Sequence, residues 1–117
     1  MSAFTYRIEA LPDGTLRPGV RHEALSLNAA SAVIPDGGYT TLRTYGKHGV
    51  IVLARHFDRL EESAALLGHP ITVNRSALRA LLCQILQQTP WEESRVRVTV
   101  DCTVTPGELW VSVEPLP

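Results

Sequence analysis

The sequence predicts an α+β fold, a mainly antiparallel sheet with two packed helices. Three observations predict it. Residues 95–101, Arg-Val-Arg-Val-Thr-Val-Asp, alternate strictly, with valines on one face, which is the two-residue period of a strand. Two other stretches carry a helical stripe: Phe57, Leu60, Ala64 and Leu67, then Leu78, Leu81, Leu82 and Ile85. Both sets recur at three- and four-residue intervals, so each lies on one side of a helix. The order of elements is strands, then both helices, then strands, unlike the strand–helix alternation of a parallel sheet.

Each element has a local reason. Phe4 to Ala10 alternates loosely and reads as a strand with Tyr6 and Ile8 on one face. Pro12-Asp13-Gly14 is a turn: proline presets φ, aspartate bonds the following backbone, and glycine tolerates positive φ. Leu16 to Ala24 is a second extended piece, interrupted at Pro18-Gly19. Ser26 to Val33 reads as a short helix with Ser26 or Asn28 as its cap. Pro35-Asp36-Gly37-Gly38 reads as a loop. Tyr39 to Tyr45 is rich in aromatic and β-branched residues and reads as a strand. Gly46-Lys47-His48-Gly49 would turn it back into Val50 to Leu53, forming a hairpin. The first main helix is expected from Ala54 to Leu67, stopped by Gly68. The second begins after an Asn74 cap and ends at Thr89-Pro90. Strands at Arg95–Asp101 and Leu109–Glu114 complete the chain, separated by a Pro106-Gly107 turn.

Composition narrows the function classes. With 117 residues, one domain spanning 1–117 is expected. The apolar fraction of 44% and charged fraction of 20% argue against a disordered chain. A net charge of −1 offers no electrostatic basis for holding nucleic acid or an anionic membrane. No apolar run is long enough to span a bilayer. The N-terminus lacks the basic-then-apolar build of a signal peptide. Two cysteines are too few for a disulfide scaffold, so a cytoplasmic protein with reduced thiols is expected. The chain holds ten arginines and a single lysine, Lys47. Lysine-dependent chemistry therefore has one candidate, and it sits at a predicted hairpin tip.

Glycine-rich phosphate loops and CxxC pairs are absent, and the four histidines show no metal-ligand spacing. Cys83 reads as a half-buried structural thiol beside the Leu82 face. Glu61-Glu62 and Glu92-Glu93 read as solvated helix and loop charges.

One segment stands out. Tyr39-Thr40-Thr41-Leu42-Arg43, a glycine-bounded turn, a short strand, and then Arg55-His56-Phe57-Asp58-Arg59-Leu60 followed by Ala64, Leu66 and Leu67 resembles the N-terminal domain of class IV aminotransferases. These are the fold type IV pyridoxal-phosphate enzymes, including branched-chain and D-amino-acid aminotransferases and 4-amino-4-deoxychorismate lyase. The His56 to Leu60 run, His-x-x-Arg-Leu, is the most specific element. The aromatic-Thr-Thr-x-Arg strand looks most like the lyase branch; branched-chain enzymes usually carry an acidic residue and a glycine where Thr40 and Thr41 stand. The resemblance runs from Gly37 to Pro115. Before Ala30 the family's opening strand and its Asn-Gly turn are not evident.

The resemblance implies roles for particular residues. Arg59 matches the arginine that binds the cofactor phosphate, a task suited to a planar, permanently charged fork of donors. Its other reading is a surface arginine contacting Glu62 or lying beside Arg55. Tyr39 matches an aromatic of the substrate pocket; Thr41 and Arg43 share its strand face by alternation. Arg97 matches an arginine near the substrate entrance, or is a solvated strand residue. No residue of this chain is expected to be catalytic. The family's Schiff-base lysine and the glutamate facing the pyridine nitrogen lie in a second domain, which would follow where this sequence stops. Lys47, at a predicted hairpin tip where a long cation is normally solvated, is not expected to have the desolvated pocket such a lysine needs. The chain is thus expected to be a domain of a transaminase or lyase that is inactive alone and carries no pyridoxal phosphate alone. Its expected partners are the C-terminal domain and a second copy. The competing reading is a non-catalytic α+β binding or assembly module of the same shape.

Overall fold

The structure is a computed structural model in which residues 3–24, 37–46, 53–68, 70–101 and 108–115 are described. Strand β1 (Ala3–Ala10) turns into β2 (Leu16–Ala24). The turn forms as its residues dictate. Gly14 takes a φ of 90°, and the Asp13 carboxylate accepts bonds from the backbone N–H and the hydroxyl of Thr15. β2 does not break at Pro18-Gly19. The ladder instead shifts register between Tyr6 and Ile8, absorbing the proline, which cannot donate a ladder bond. At Gly19 a Cβ would stand 2.6 Å from the Arg7 carbonyl oxygen, so only glycine fits there without adjustment.

Strand β3 spans Gly37–Arg43, and helix α1 spans Leu53–Leu66. Two expectations change here. Gly37 and Gly38 belong to the strand, not to a loop. Leu53 opens α1 instead of ending a returning strand; the rest of that expected hairpin, 47–52, lies outside the described residues, as does the expected helix at 26–33. Helix α2 (Arg75–Gln87) starts where the cap residue places it: Asn74 is extended, and its side chain accepts from Ala77 N–H. The Asn74 amide also donates to the Gly14 carbonyl, tying this helix start to the first hairpin. β4 (Ser94–Asp101) and β5 (Glu108–Pro115) follow.

The five strands lie in the order β2-β1-β5-β4-β3, every described pairing antiparallel. β5 slots between the opening strand and β4, so the two ends of the described chain meet in the sheet centre. The partner of β3 is β4, with Tyr39 opposite Thr99 and Thr41 opposite Arg97. Both helices pack on the face bearing Leu42, Val96, Val98, Val100, Val111 and Val113. Phe57, Leu60 and Ala64 of α1 and Leu78, Leu81, Leu82 and Ile85 of α2 are buried there. Burying each of the larger of these side chains is worth about 1.5–3 kcal/mol. The closest approach of helix to sheet is at Gly38. A Cβ there would lie 2.8 Å from Ala64 N and 2.9 Å from the Ser63 backbone carbon.

Of the four acidic residues expected to be solvated, Glu62 and Glu92 are exposed, but Glu61 and Glu93 are half-buried and engaged. Glu61 accepts from Val73 N–H at 2.7 Å and from Arg75 at 2.8 Å; Arg75 also reaches Asp58. The Val73 bond first, then Arg75, hold the Glu61 carboxyl below the usual carboxylate range. Glu93 accepts from Gly46 N–H and pairs with Arg43. Cys83 is free and half-buried, as its position on α2 implies.

Candidate functional site

Small residues allow α1 to lie close beside β3, and this closeness shapes an open groove along the strand. The groove encloses about 530 Å³ and is lined by Gly37 to Thr41 from β3 and by Arg59, Ser63, Leu66 and Leu67 from α1 and its end. Three of the residues singled out from sequence, Tyr39, Thr41 and Arg59, therefore share one concavity.

The positions follow from the two periodicities. On β3, Thr40 and Leu42 face the helices and are buried. Tyr39, Thr41 and Arg43 take the other face, as alternation requires. On α1, Phe57, Leu60 and Ala64 point to the core, which leaves Arg59 on the exposed flank. Among the described residues Arg59 makes no ion pair; Glu62 and Arg55 line a shallow depression beside it without bonding it. Its five N–H donors are thus uncommitted toward described groups.

Arg97 joins the same region from the neighbouring strand. Its Nε donates to Thr41 Oγ1 at 3.3 Å, and its guanidinium carbon stands 5.3 Å from the Tyr39 ring centroid. This stacking holds the Tyr39 ring while 55% of the residue stays exposed. Arg43 goes elsewhere. Its guanidinium lies 4.2 Å from the Tyr45 ring centroid and 3.4 Å from a Glu93 oxygen, at the far end of β3. Lys47 lies outside the described residues.

Sequence reasoning missed several members of the site. Gly37 and Gly38 read as a loop and Ser63 drew no attention in sequence, yet all three line the groove, and the missing Cβ of Gly38 lets α1 lie close to the strand. Leu66 is 87% exposed and Leu67 54% exposed, giving the groove an apolar end. For Leu66 a signal existed, because it falls off the buried stripe of α1. His56 opens the His-x-x-Arg-Leu run, but the sequence assigned it no role of its own. Its Nδ1 lies 3.1 Å from the Thr40 hydroxyl. Burial first, and the Arg59 charge second, hold its imidazole below the ordinary value.

The arrangement suits an anionic ligand whose other end is planar or apolar. A fixed cation lies at one side of the groove, hydroxyls of Thr41 and Ser63 line its walls, and an arginine-stacked tyrosine stands at its margin. Among the described residues no group of three His, Cys, Asp or Glu side chains could hold a metal ion. No helix among them is long and apolar enough to cross a membrane.

Comparison with known proteins agrees with this geometry. One solved structure with the same fold is a protein assigned as a branched-chain amino acid aminotransferase from Thermotoga maritima. It superposes with a TM-score of 0.63 at 20% identity, over 99% of this chain and 38% of its own. A second is assigned as an aminotransferase from Corynebacterium glutamicum, again with a TM-score of 0.63 and 20% identity, over 99% of this chain and 49% of its own. The chain thus spans less than half the length of either. No curated protein matches it. The sequence model described as amino-transferase class IV matches residues 37–117, which include the groove, the His-x-x-Arg-Leu run and β4. Since that match covers well over half of the sequence, this chain belongs to the class IV aminotransferase family.

Proposed function

We propose that the chain is the small domain of a pyridoxal-phosphate-dependent enzyme, a transaminase or an aminodeoxychorismate-lyase-like enzyme. In this reading Arg59 holds the cofactor phosphate, and Tyr39, Thr41 and Arg97 form one wall of the substrate cleft. The observation that carries the reading is the convergence of Arg59, Tyr39 and Thr41 on one groove.

The residues fit one end of the cofactor. A phosphate needs charged donors, and Arg59 has donors with no described partner. A bidentate arginine–phosphate contact adds direction as well as attraction. When bound, the cofactor supplies an electron sink for bonds at the substrate α-carbon. This chain's own residues would bind and orient. Arg59 fixes the phosphate, the Tyr39 ring limits the space beside the substrate, and Arg97, through Thr41 and the ring, keeps that wall in place. The chemistry also needs a desolvated lysine. Lys47, the single lysine, stands in a sequence context of glycines and histidine unsuited to that task. We therefore assign the catalytic lysine to a further domain, and to this chain alone no turnover. The exposed Leu66 and Leu67 support such a partner, because an apolar groove end is a natural place for another domain to cover.

The test uses pyridoxine 5′-phosphate, which has the phosphate but no aldehyde and cannot bond covalently to amines. NMR titration of the 117-residue chain should perturb the amides of Tyr39, Thr41 and Arg59. Arg59→Gln should abolish the perturbation. Equal binding by the variant would overturn the phosphate role, and amino transfer by the isolated chain would overturn the assignment of the lysine elsewhere.

A further inference from the structure

We propose that His56 is a protonation-coupled positioning residue for the anion at Arg59: the imidazole takes up a proton as the anion binds, and the charged imidazole in turn tightens the anion's hold. The inference rests on Arg59 being the anion site.

Geometry carries it. His56 stands one helical turn before Arg59 on α1, so the two side chains are neighbours on the helix surface. Its Nδ1 lies 3.1 Å from the hydroxyl of Thr40, a residue that is 1% exposed and lies between Tyr39 and Thr41 on the groove's β3 wall. The His56–Thr40 bond thus bridges the two walls of the groove beside the cation. A hydroxyl both donates and accepts, so the bond survives titration. Thr40 donates to a neutral ring whose Nδ1 is bare, and accepts from a ring protonated at Nδ1, as the charged one is. What changes on protonation is charge, not the bridge.

The surroundings make that charge matter. The β3 residues facing the helices are Gly38, Thr40 and Leu42, and the β4 residues are Val96, Val98 and Val100; none is ionisable. On α1 itself the nearby charges are Arg55, Asp58 and Arg59, and of these Arg59 acts on the ring, opposing its protonation. An anion against Arg59 neutralises that opposition and adds its own attraction. By reciprocity the same free energy appears in anion affinity. The proton comes from water, and no other bond forms or breaks.

The probe is sulfate, whose charge is constant across the histidine range, unlike that of phosphate. Imidazole NMR of the full chain should show His56 titrating about half a unit higher at saturating sulfate, equivalent to about threefold tighter sulfate binding by the charged form. His56→Asn, which keeps a partner for Thr40, should bind sulfate without that pH dependence. Sulfate binding lost in Arg59→Gln, with His56 unmoved in the wild type, would overturn the coupling and leave the anion site standing. Absent sulfate binding, or binding indifferent to Arg59→Gln, would overturn the anion site itself and the coupling with it. Should the His56 variant fail to fold, the wild-type imidazole titration decides alone.

Discussion

Gly38→Ala tests the closeness of helix and strand on which the groove depends. The added methyl would sit 2.8 Å from Ala64 N, 2.9 Å from the Ser63 backbone carbon and 2.9 Å from Ser63 Cβ. Ordinary contact begins near 3.4 Å, so the methyl falls short by about half an ångström on three atoms. Two of these are helix backbone, so no rotamer change relieves them. Ala64 is fully buried, and α1 must move outward with Phe57 and Leu60 in tow. Overpacking of this kind costs about 1–3 kcal/mol. Losing glycine's unfolded-state freedom offsets about 0.4–1 kcal/mol of that. The midpoints of the two ranges leave a net loss of about 1.3 kcal/mol, lowering the melting midpoint by roughly 5 °C in a domain of this size. The assay is urea unfolding followed by far-UV circular dichroism, with the slope unchanged and the midpoint lowered. An unchanged or raised midpoint would refute the reasoning, because it would mean that α1 does not press on Gly38.

Two further expectations follow from other contacts. Glu61→Gln leaves Val73 N–H an acceptor but removes the carboxylate facing Arg75, and should cost about 1 kcal/mol at neutral pH. Because the folded-state Glu61 carboxyl titrates below its ordinary 4.5, its contribution is present above that value and is lost as pH falls through the lower folded one. The variant should therefore lose less stability on acidification than the wild type, and identical acid limbs would refute this. The exposed Leu66, Leu67 and Tyr39 should drive association of the isolated chain. Light scattering should show dimers or larger species that Leu66→Glu disperses, and a monomer at high concentration would count against it.

Much of the fold is legible in local pattern. Of the stripe Phe57, Leu60, Ala64 and Leu67, the first three face the core from α1, while Leu67 lies past the helix end and is exposed. The Leu78–Ile85 stripe appears as α2, Asn74 caps as its side chain allows, and the 95–101 alternation becomes β4 with Val96, Val98 and Val100 fully buried. Where sequence reading erred, a distant contact overrode a local preference. Gly37-Gly38 resembles a loop in isolation, but β4 supplies ladder partners in Asp101 and Val100, and α1 demands the missing Cβ. Glu61 and Glu93 look solvated until residues 12 and 47 positions away bring them backbone N–H donors.

The site divides the same way. The residue types, a phosphate-suited arginine in a His-x-x-Arg-Leu run and an aromatic-Thr-Thr strand, are properties of the sequence alone and already point to the family. That Arg59, Tyr39 and Thr41 share a groove, that Arg97 braces Tyr39 while Arg43 turns to Glu93, and that His56 bridges to Thr40 are tertiary facts. Periodicity and capping act over a few residues, so sequence determined them. Strand order and groove depend on which distant surfaces bury each other best, and only the assembled sheet, with β5 inserted between β1 and β4, decided those.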